Sequence, residues 1–329
     1  MAGTYKVDFR QLGRTGARVS NLCLGAMNFG SRTEEKESVE IIHRFLDEGL
    51  NFIDTANVYS KGVSESFVGK AIKGRRDEVF LATKVHGRMG EKPNDQGNSR
   101  VHILKQVEES LSRLQTDYID LYWIHRPDLN TPIDETLKTL DDLVRQGKVR
   151  YIGLSTFPAW QTMESIMISK QMNLEQFVAE QPPYNLFDRS VEEEVVPVCQ
   201  KYGLGIMPWG PLAEGWLTGR YRKDQPFPQD TRVSRKNVDL NSGYIVDRLN
   251  AIEALMPIAQ EKGITLSQLA LAWLIQQPGV TAPIIGPRTM EQLDDNLGAL
   301  NVELNQDDLD RIDAAIPPKS RVGGKRHWE

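Results

Sequence analysis

Short apolar segments rich in β-branched residues alternate along the chain with longer segments of helical periodicity. In the helical segments, apolar residues recur three and four positions apart, as in Val107, Leu111 and Leu114. Polar loops with glycines separate the two kinds of segment. The pattern predicts eight strands, at Val19–Ala26, Asn51–Ala56, Val79–Val85, Tyr118–His125, Val149–Thr156, Phe177–Gln181, Leu204–Trp209 and Ala282–Gly286.

Strands that alternate with helices predict a parallel sheet, and eight of each favour an α/β fold closed into a (β/α)8 TIM barrel. Phe9–Ser20, with glycines at two turn positions, predicts an N-terminal β-hairpin ahead of the first barrel strand. Thr265–Gln276 and Gln306–Ala315 predict two extra helices beyond the basic eight. The polar segment Leu212–Asn250 predicts an insertion after the seventh strand.

Composition places the chain among ordinary globular proteins, with 40% hydrophobic and 26% charged residues. No linker divides it, so we expect one domain over 1–329, with the barrel over about 9–315 and a basic tail over 316–329. The net charge of −5, without a basic face, argues against a nucleic-acid partner. No apolar segment reaches the roughly 20 residues that span a bilayer, and the N-terminus lacks the apolar core of a signal peptide.

The two cysteines lie far apart in the sequence, which excludes a disulfide framework or a zinc cluster. We therefore expect a cytoplasmic protein without a metal site or a membrane partner. A small molecule is the expected binding partner, and formation of a homo-oligomer is left open by the sequence.

Polar side chains end six of the predicted strands, at the face where TIM barrels hold their active sites. The residue two positions before each of them is small or apolar, so the period of two points all six toward the barrel mouth. One such residue alone is more often structural than functional. An acid, a lysine and a histidine at consecutive strand ends jointly indicate a site, because charged groups are seldom buried unless paired. The six residues are Asp54, Lys84, His125, Ser155, Gln181 and Trp209.

This group suits proton transfer at a carbonyl, with Tyr59 lying five residues after Asp54 as a proton donor. A free tyrosine, with a pKa near ~10, is a poor acid at neutral pH. A Lys84 ammonium nearby would stabilise the phenolate, and Asp54 would keep that ammonium charged. His125 could share a hydrogen bond with the substrate oxygen. Such a group reduces a carbonyl only if another molecule delivers hydride.

Six ordered sequence blocks stand out along the chain, at Asn51–Tyr59, Ala82–Val85, Asp117–Pro127, Gly147–Ser155, Val178–Asn185 and Ile285–Asn296. With these blocks the chain resembles the aldo-keto reductases from Phe9 to about Ala315, and within them the aryl-alcohol-dehydrogenase-like and potassium-channel-β-like branch. The resemblance implies a catalytic tetrad of Asp54, Tyr59, Lys84 and His125, in which Tyr59 is the general acid.

The same resemblance implies NADPH, rather than NADH, lying across the barrel mouth. Ser155 and Gln181 would hold the nicotinamide carboxamide, and Trp209 would stack on the ring. Arg288 would bind the 2′-phosphate, since a planar guanidinium at a helix start suits phosphate. Thr156 stands where this branch usually has Asn, so only part of the carboxamide contact is implied. The remaining implied cofactor positions are Gly25, Ala26, Met27, Asp54, Gly210, Pro211, Leu212, Arg220, Gly286, Gln292, Asp295 and Asn296.

Three functions compete at this point. The first is an NADP-dependent oxidoreductase that reduces aldehydes or ketones to alcohols. The second is a nucleotide-sensing module like the channel β-subunits, which retain the same tetrad and are not separated by sequence. The third is an aldolase with Lys84 as a Schiff-base lysine. The chain has no Gly-x-Gly-x-x-Gly, P-loop or Tyr-x-x-x-Lys pattern, so other nucleotide-binding classes lack their signatures.

Overall fold

The computed structural model describes residues 4–228 and 242–322. The chain begins with the predicted hairpin, in which β1 (Phe9–Gln11) pairs antiparallel with β2 (Arg18–Ser20). The turn after β1 contains Gly13 at a φ of +53°, and a Cβ there would overlap the carbonyl oxygen of Val178. Only glycine fits this contact, which lays the hairpin across the amino-terminal end of the barrel.

Among the described residues, eight parallel strands follow, and each strand from β3 to β8 pairs with the next in chain order. β10 pairs in parallel with β3. Between β9 and β10, the Thr281 amide donates to the Ile206 carbonyl oxygen at 2.8 Å, and the Ile284 amide donates to that of Pro208 at 2.9 Å. These bonds close the ring and confirm the predicted TIM barrel. The strands are β3 (Cys23–Gly25), β4 (Phe52–Asp54), β5 (Phe80–Val85), β6 (Ile119–Ile124), β7 (Val149–Ser155), β8 (Ala179–Gln181), β9 (Gly205–Ile206) and β10 (Ile284–Ile285).

The barrel interior is a small apolar core of its own, separate from the larger core between the strands and the helices. Phe52, Ala82, Trp123 and Met207 belong to it, and each lies two residues before one of the predicted polar strand ends. A Cβ on Gly153 would overlap the Trp123 ring, so glycine makes room for the indole. The period-two prediction is therefore confirmed, and this apolar core lies directly beneath the barrel mouth.

Ten helices surround the barrel in the part of the chain that the structure describes, two more than the basic eight. α8 packs on α9, and α9 packs on α1. These two contacts complete the helical layer around β10 and β3. Helix α7 packs on α10. The helices are α1 (Glu35–Asp47), α2 (Val63–Ala71), α3 (Arg100–Leu114), α4 (Ile133–Arg145), α5 (Ala159–Met172), α6 (Val195–Tyr202), α7 (Gly243–Glu261), α8 (Leu266–Ile275), α9 (Met290–Gly298) and α10 (Gln306–Ala315).

Both predicted extra helices are present, as α8 (Leu266–Ile275) and α10 (Gln306–Ala315), and α7 and α8 both lie between β9 and β10. Almost all of α8 is buried, as a member of the main helical layer requires. Residues 229–241 of the expected insertion and 323–329 of the expected tail lie outside the described residues. None of the described helices is long and apolar enough to cross a membrane.

Candidate functional site

The carboxyl-terminal ends of β3–β10, here called the barrel mouth, bring together the four residues of the expected tetrad. Asp54 is the last residue of β4, Lys84 lies in β5, and His125 directly follows β6. Tyr59 opens a short 3₁₀ turn, Tyr59–Gly62, after β4. Three adjacent strands thus place an acid, a lysine and a histidine side by side at the barrel mouth, and the 3₁₀ turn places the Tyr59 phenol beside them.

The Lys84 ammonium is completely buried and is the centre of this cluster. Its Nζ donates to Asp54 Oδ1, to the Thr55 carbonyl oxygen at 2.8 Å and to Tyr59 Oη at 3.3 Å. Burial by itself would lower the pKa of Lys84, but the charges of Asp54 and Tyr59 and the hydrogen bonds to both residues together outweigh it, and the pKa is raised. The lysine therefore stays protonated and directs a positive charge at the Tyr59 oxygen.

His125 contacts Tyr59 edge to face, with 5.7 Å between the ring centroids. Its backbone amide donates to the Val85 carbonyl oxygen, which fixes the residue to the end of β5. Burial, together with the positive charges of Lys84 and Arg126, holds the pKa of His125 well below its usual range. The imidazole is therefore neutral at pH 7 and suits hydrogen bonding to an uncharged oxygen.

Two of the expected carboxamide ligands lie beside the tetrad. Gln181, the last residue of β8, donates from Nε2 to Asp54 Oδ2 at 3.1 Å. Ser155, the last residue of β7, donates from Oγ to the Gln181 carbonyl oxygen at 3.0 Å. The ends of β7 and β8 are thereby tied to the buried Asp54–Lys84 pair.

Thr156 joins three strand ends through its hydroxyl. Its Oγ1 accepts from Arg126 Nη1 at 2.5 Å and from Trp209 Nε1 at 3.1 Å. The Arg126 guanidinium carbon lies 5.5 Å from the Trp209 ring centroid. Thr156 has a φ of +61°, which is costly for a β-branched residue and persists only where the surroundings impose it. Arg126 is not among the residues predicted from sequence, although its place directly after His125 could have revealed it.

Glu180, also missed, supports this strained position from the outer side of the sheet. It is completely buried, and its Oε1 accepts from the Phe157 amide at 3.2 Å. Its Oε2 has no hydrogen-bond partner among the residues that the structure describes. Burial raises the pKa of Glu180 well above its usual range, and hydrogen bonds from the backbone offset this only in part. The structure therefore favours the neutral acid.

Replacing Glu180 with Gln is expected to raise the melting temperature at pH 8 and to change it little at pH 4.5. The pKa of Glu180 is higher in the folded state than in the unfolded state. The stability of the wild type therefore falls as the pH rises from the unfolded-state pKa toward the folded-state pKa, whereas a glutamine does not titrate and causes no such loss. Melting curves between pH 4.5 and 8 measure the difference. Glu180→Leu is the control, since it leaves the Phe157 amide unpaired at a cost of about 1–3 kcal/mol. A difference that does not grow with pH would contradict an uncharged Glu180.

The expected ribose and pyrophosphate positions also lie at the mouth. Gly25 ends β3 where a Cβ would lie 2.6 Å from the Ile284 side chain, and Met27 beyond it is 44% exposed. The Ala26 amide donates to the Asp54 carbonyl oxygen at 2.8 Å. After Trp209, the segment Gly210–Leu212 leads into a 3₁₀ turn, Ala213–Thr218. Pro211 is buried in this segment, and Arg220 is exposed just beyond the turn.

Backbone strain marks the 3₁₀ turn, because Ala213 and Glu214 adopt φ values of +48° and +59°. Non-glycine residues keep such conformations only where the surroundings impose them, and these conformations cluster at ligand-binding segments.

The expected adenosine end lies at the start of α9. The Arg288 amide donates to Gln292 Oε1 at 3.0 Å, and Thr289 caps the helix. Arg288 itself is half-buried. The loop after β3 is fastened here, since Asn28 Nδ2 donates to the Gly286 carbonyl oxygen at 2.8 Å. Farther along α9, Asp295 accepts from the Thr265 hydroxyl at 2.8 Å, and Asn296 is buried.

Comparison with known proteins identifies the chemistry that this barrel mouth supports. The sequence profile of the Aldo/keto reductase family matches residues 21–317. The chain belongs to the aldo/keto reductase family. It is therefore an oxidoreductase that acts on a small molecule, in a family whose members use nicotinamide cofactors.

Three relatives align with nearly the whole chain. The chain is 41% identical over 322 residues to an uncharacterized oxidoreductase, YrpG, of Bacillus subtilis, covering 94% of this chain and 96% of that protein. It is 38% identical to a probable voltage-gated potassium channel subunit beta of rice, covering 96% of this chain and 98% of that protein. Norsolorinic acid reductase B of Dothistroma septosporum is 36% identical, with 96% of this chain and 83% of that protein covered.

Proposed function

We propose that this aldo/keto reductase reduces aldehydes and ketones to alcohols with NADPH, and that Tyr59 is the proton donor. The observation that carries the proposal is the Lys84 ammonium, which links the Asp54 carboxylate to the Tyr59 hydroxyl at the barrel mouth. Bound NADPH supplies hydride to the carbonyl carbon. The side chains of the chain must then deliver a proton to the carbonyl oxygen.

Each member of the tetrad has a distinct part in that proton transfer. Tyr59 gives its proton to the substrate oxygen, and Lys84, 3.3 Å away, stabilises the phenolate that remains. Asp54 keeps Lys84 charged and fixed in position. The neutral His125, in contact with the Tyr59 ring, orients the same oxygen by a hydrogen bond. Restoring the Tyr59 proton from solvent completes the cycle.

The residues around the tetrad fit a nicotinamide nucleotide. Ser155 and Gln181 offer hydroxyl and amide groups beside the buried Asp54–Lys84 pair, and the half-buried Trp209 offers an aromatic face. The strained 3₁₀ turn Ala213–Thr218 and the start of α9 provide backbone amides and the Arg288 charge for phosphate groups.

Two competing functions are less well supported. An aldolase needs a neutral lysine amine as nucleophile, whereas Asp54 keeps Lys84 protonated. A channel-regulating module would agree with the names of the plant relatives. The oxidoreductase is favoured because the proton-transfer group is complete and because other relatives are named as an oxidoreductase and a reductase.

Titrating the purified protein with NADPH and NADH, followed by tryptophan fluorescence, tests the cofactor. We expect tight NADPH binding and much weaker NADH binding, because the half-buried Arg288 would pair with the 2′-phosphate. Arg288→Gln should weaken NADPH binding about 10- to 100-fold, as the loss of charge-assisted hydrogen bonds implies, and leave NADH binding unchanged.

Arg150→Gln is the matched control for that titration, because Arg150 is exposed at the opposite end of β7. A preference for NADH would keep the reductase and remove the Arg288 role. Binding of neither nucleotide would refute the proposed cofactor.

A further inference from the structure

Arg126 is a half-buried cation at the barrel mouth, and its hydrogen bonds to the residues that the structure describes go only to neutral groups. Its Nη1 donates to Thr156 Oγ1 at 2.5 Å and to the His125 carbonyl oxygen at 3.1 Å. Within residues 4–228 and 242–322, no carboxylate lies within salt-bridge distance of its guanidinium, and Glu180 affects it only through a longer-range charge effect. Charged side chains are seldom withdrawn from water without a counter-charge. Within the described residues, the Arg126 guanidinium therefore lacks a counter-charge.

The guanidinium is held in place at the barrel mouth. Thr156 and the face of Trp209 fix it on one side, and its charge interacts with the Tyr59 hydroxyl. Burial lowers the pKa of Arg126, and the charges of Tyr59 and Glu180 offset this only in part. With Nη1 engaged by protein oxygens, Nε and Nη2 remain as donors. Two adjacent guanidinium N–H groups match the two oxygens of a carboxylate or phosphate.

We propose that Arg126 makes the enzyme select carbonyl substrates that carry an acidic group, a carboxylate or a phosphate. The inference rests on the proposed reductase function, because Tyr59 and His125 must hold the carbonyl oxygen while Arg126 holds the acid. The nicotinamide carboxamide is uncharged and would leave Arg126 without a counter-charge. The proposed phosphate positions of the cofactor follow Trp209 and begin α9, where Arg220 and Arg288 lie.

Matched substrate pairs test this proposal. The 2-, 3- and 4-carboxybenzaldehydes are each compared with their methyl esters, and glyceraldehyde 3-phosphate is compared with glyceraldehyde, with NADPH as reductant. We expect at least one acid to have a kcat/KM about 10- to 100-fold above its neutral partner, chiefly through KM, because charge-assisted hydrogen bonds are lost with the neutral compound. If the largest ratio comes from a carboxybenzaldehyde and its ester, the preferred acidic group is a carboxylate. If it comes from the two glyceraldehydes, the preferred acidic group is a phosphate.

Arg126→Gln should abolish that ratio, so that each acid and its neutral partner are reduced with similar kcat/KM by the variant, because neither compound then makes a charged contact at this position. Arg126→Lys should keep part of the ratio, because it retains the charge without the planar pair of donors. Arg150→Gln lies remote from the barrel mouth and should keep the full kcat/KM ratio between acid and neutral partner. NADPH binding, followed by tryptophan fluorescence, should be the same in all four proteins.

The outcomes separate the two proposals. Equal turnover of acids and esters by the wild type would overturn the inference and leave the reductase standing, and this comparison needs no variant to fold. If Arg126→Gln weakened NADPH binding and slowed every substrate alike, Arg126 would serve the cofactor, and the inference would be wrong. If no aldehyde were reduced although NADPH bound, the proposed function would fail and the inference with it.

Discussion

Replacing Tyr59 with Phe is expected to lower kcat for aldehyde reduction by about 10²–10⁴, the contribution usual for a positioned general acid. The substitution removes one oxygen, the atom that Lys84 Nζ contacts at 3.3 Å, and keeps the ring that packs against His125. NADPH binding should change little, because the hydroxyl belongs to the proton-transfer group. Steady-state kinetics with benzaldehyde, together with tryptophan fluorescence titration, measures both.

The chain offers a matched control for this experiment in Tyr122. It lies on β6, two strands from β4, and its buried hydroxyl has no hydrogen-bond partner among the described residues. Tyr122→Phe therefore removes the same atom from a neighbouring part of the barrel and should leave turnover and stability close to wild type. Near-wild-type turnover in Tyr59→Phe would refute Tyr59 as the acid. A large loss in Tyr122→Phe would show that the barrel does not tolerate such a change.

The barrel and the tetrad could be predicted from sequence because both follow from local patterns. Period-two alternation fixed which residue of each strand faces inward, and the carboxyl ends of parallel strands all meet at one face. Asp54, Lys84 and His125 were therefore placed together without any distance being known. Confirmation that Lys84 contacts Tyr59 needed the structure, since the 3₁₀ turn that carries Tyr59 has no comparable periodicity.

The missed residues share a different property, because their environments depend on contacts between distant parts of the chain. Arg126 is held by Thr156, thirty positions away, and Thr156 also accepts from Trp209, fifty-three positions away. Glu180 alternates outward on β8, toward the face that the surrounding helices cover in a TIM barrel, and it is completely buried. A sequence pattern shows which face a residue occupies but not which groups it contacts there.

The Lys84→Met variant is expected to lose turnover and about 3–5 kcal/mol of unfolding free energy, the usual cost of breaking a buried ion pair. Methionine fills the same space, so the loss comes from the Asp54 carboxylate, which remains buried without its counter-charge. Denaturant unfolding at pH 7 measures the stability, and benzaldehyde reduction measures the turnover. Lys70→Met is the control, because the Lys70–Glu35 pair is about half exposed and contributes at most ~1 kcal/mol.

A second substitution separates the electrostatic cost from the catalytic one. Asp54→Asn combined with Lys84→Met removes both charges and should recover most of the lost stability, because a buried amide at position 54 does not need a cation in the way a carboxylate does. Turnover should stay absent, since no ammonium remains to stabilise the Tyr59 phenolate.

The pH dependence of the single variant gives an independent check. Without Lys84, burial raises the pKa of Asp54, so the stability deficit should be full at neutral pH and shrink as the carboxylate takes up a proton at lower pH. A deficit that persisted unchanged to pH 4, or a double variant as unstable as the single one, would mean that Lys84 supports the barrel mainly by packing. Its proposed part in the reaction would then depend on the kinetics alone.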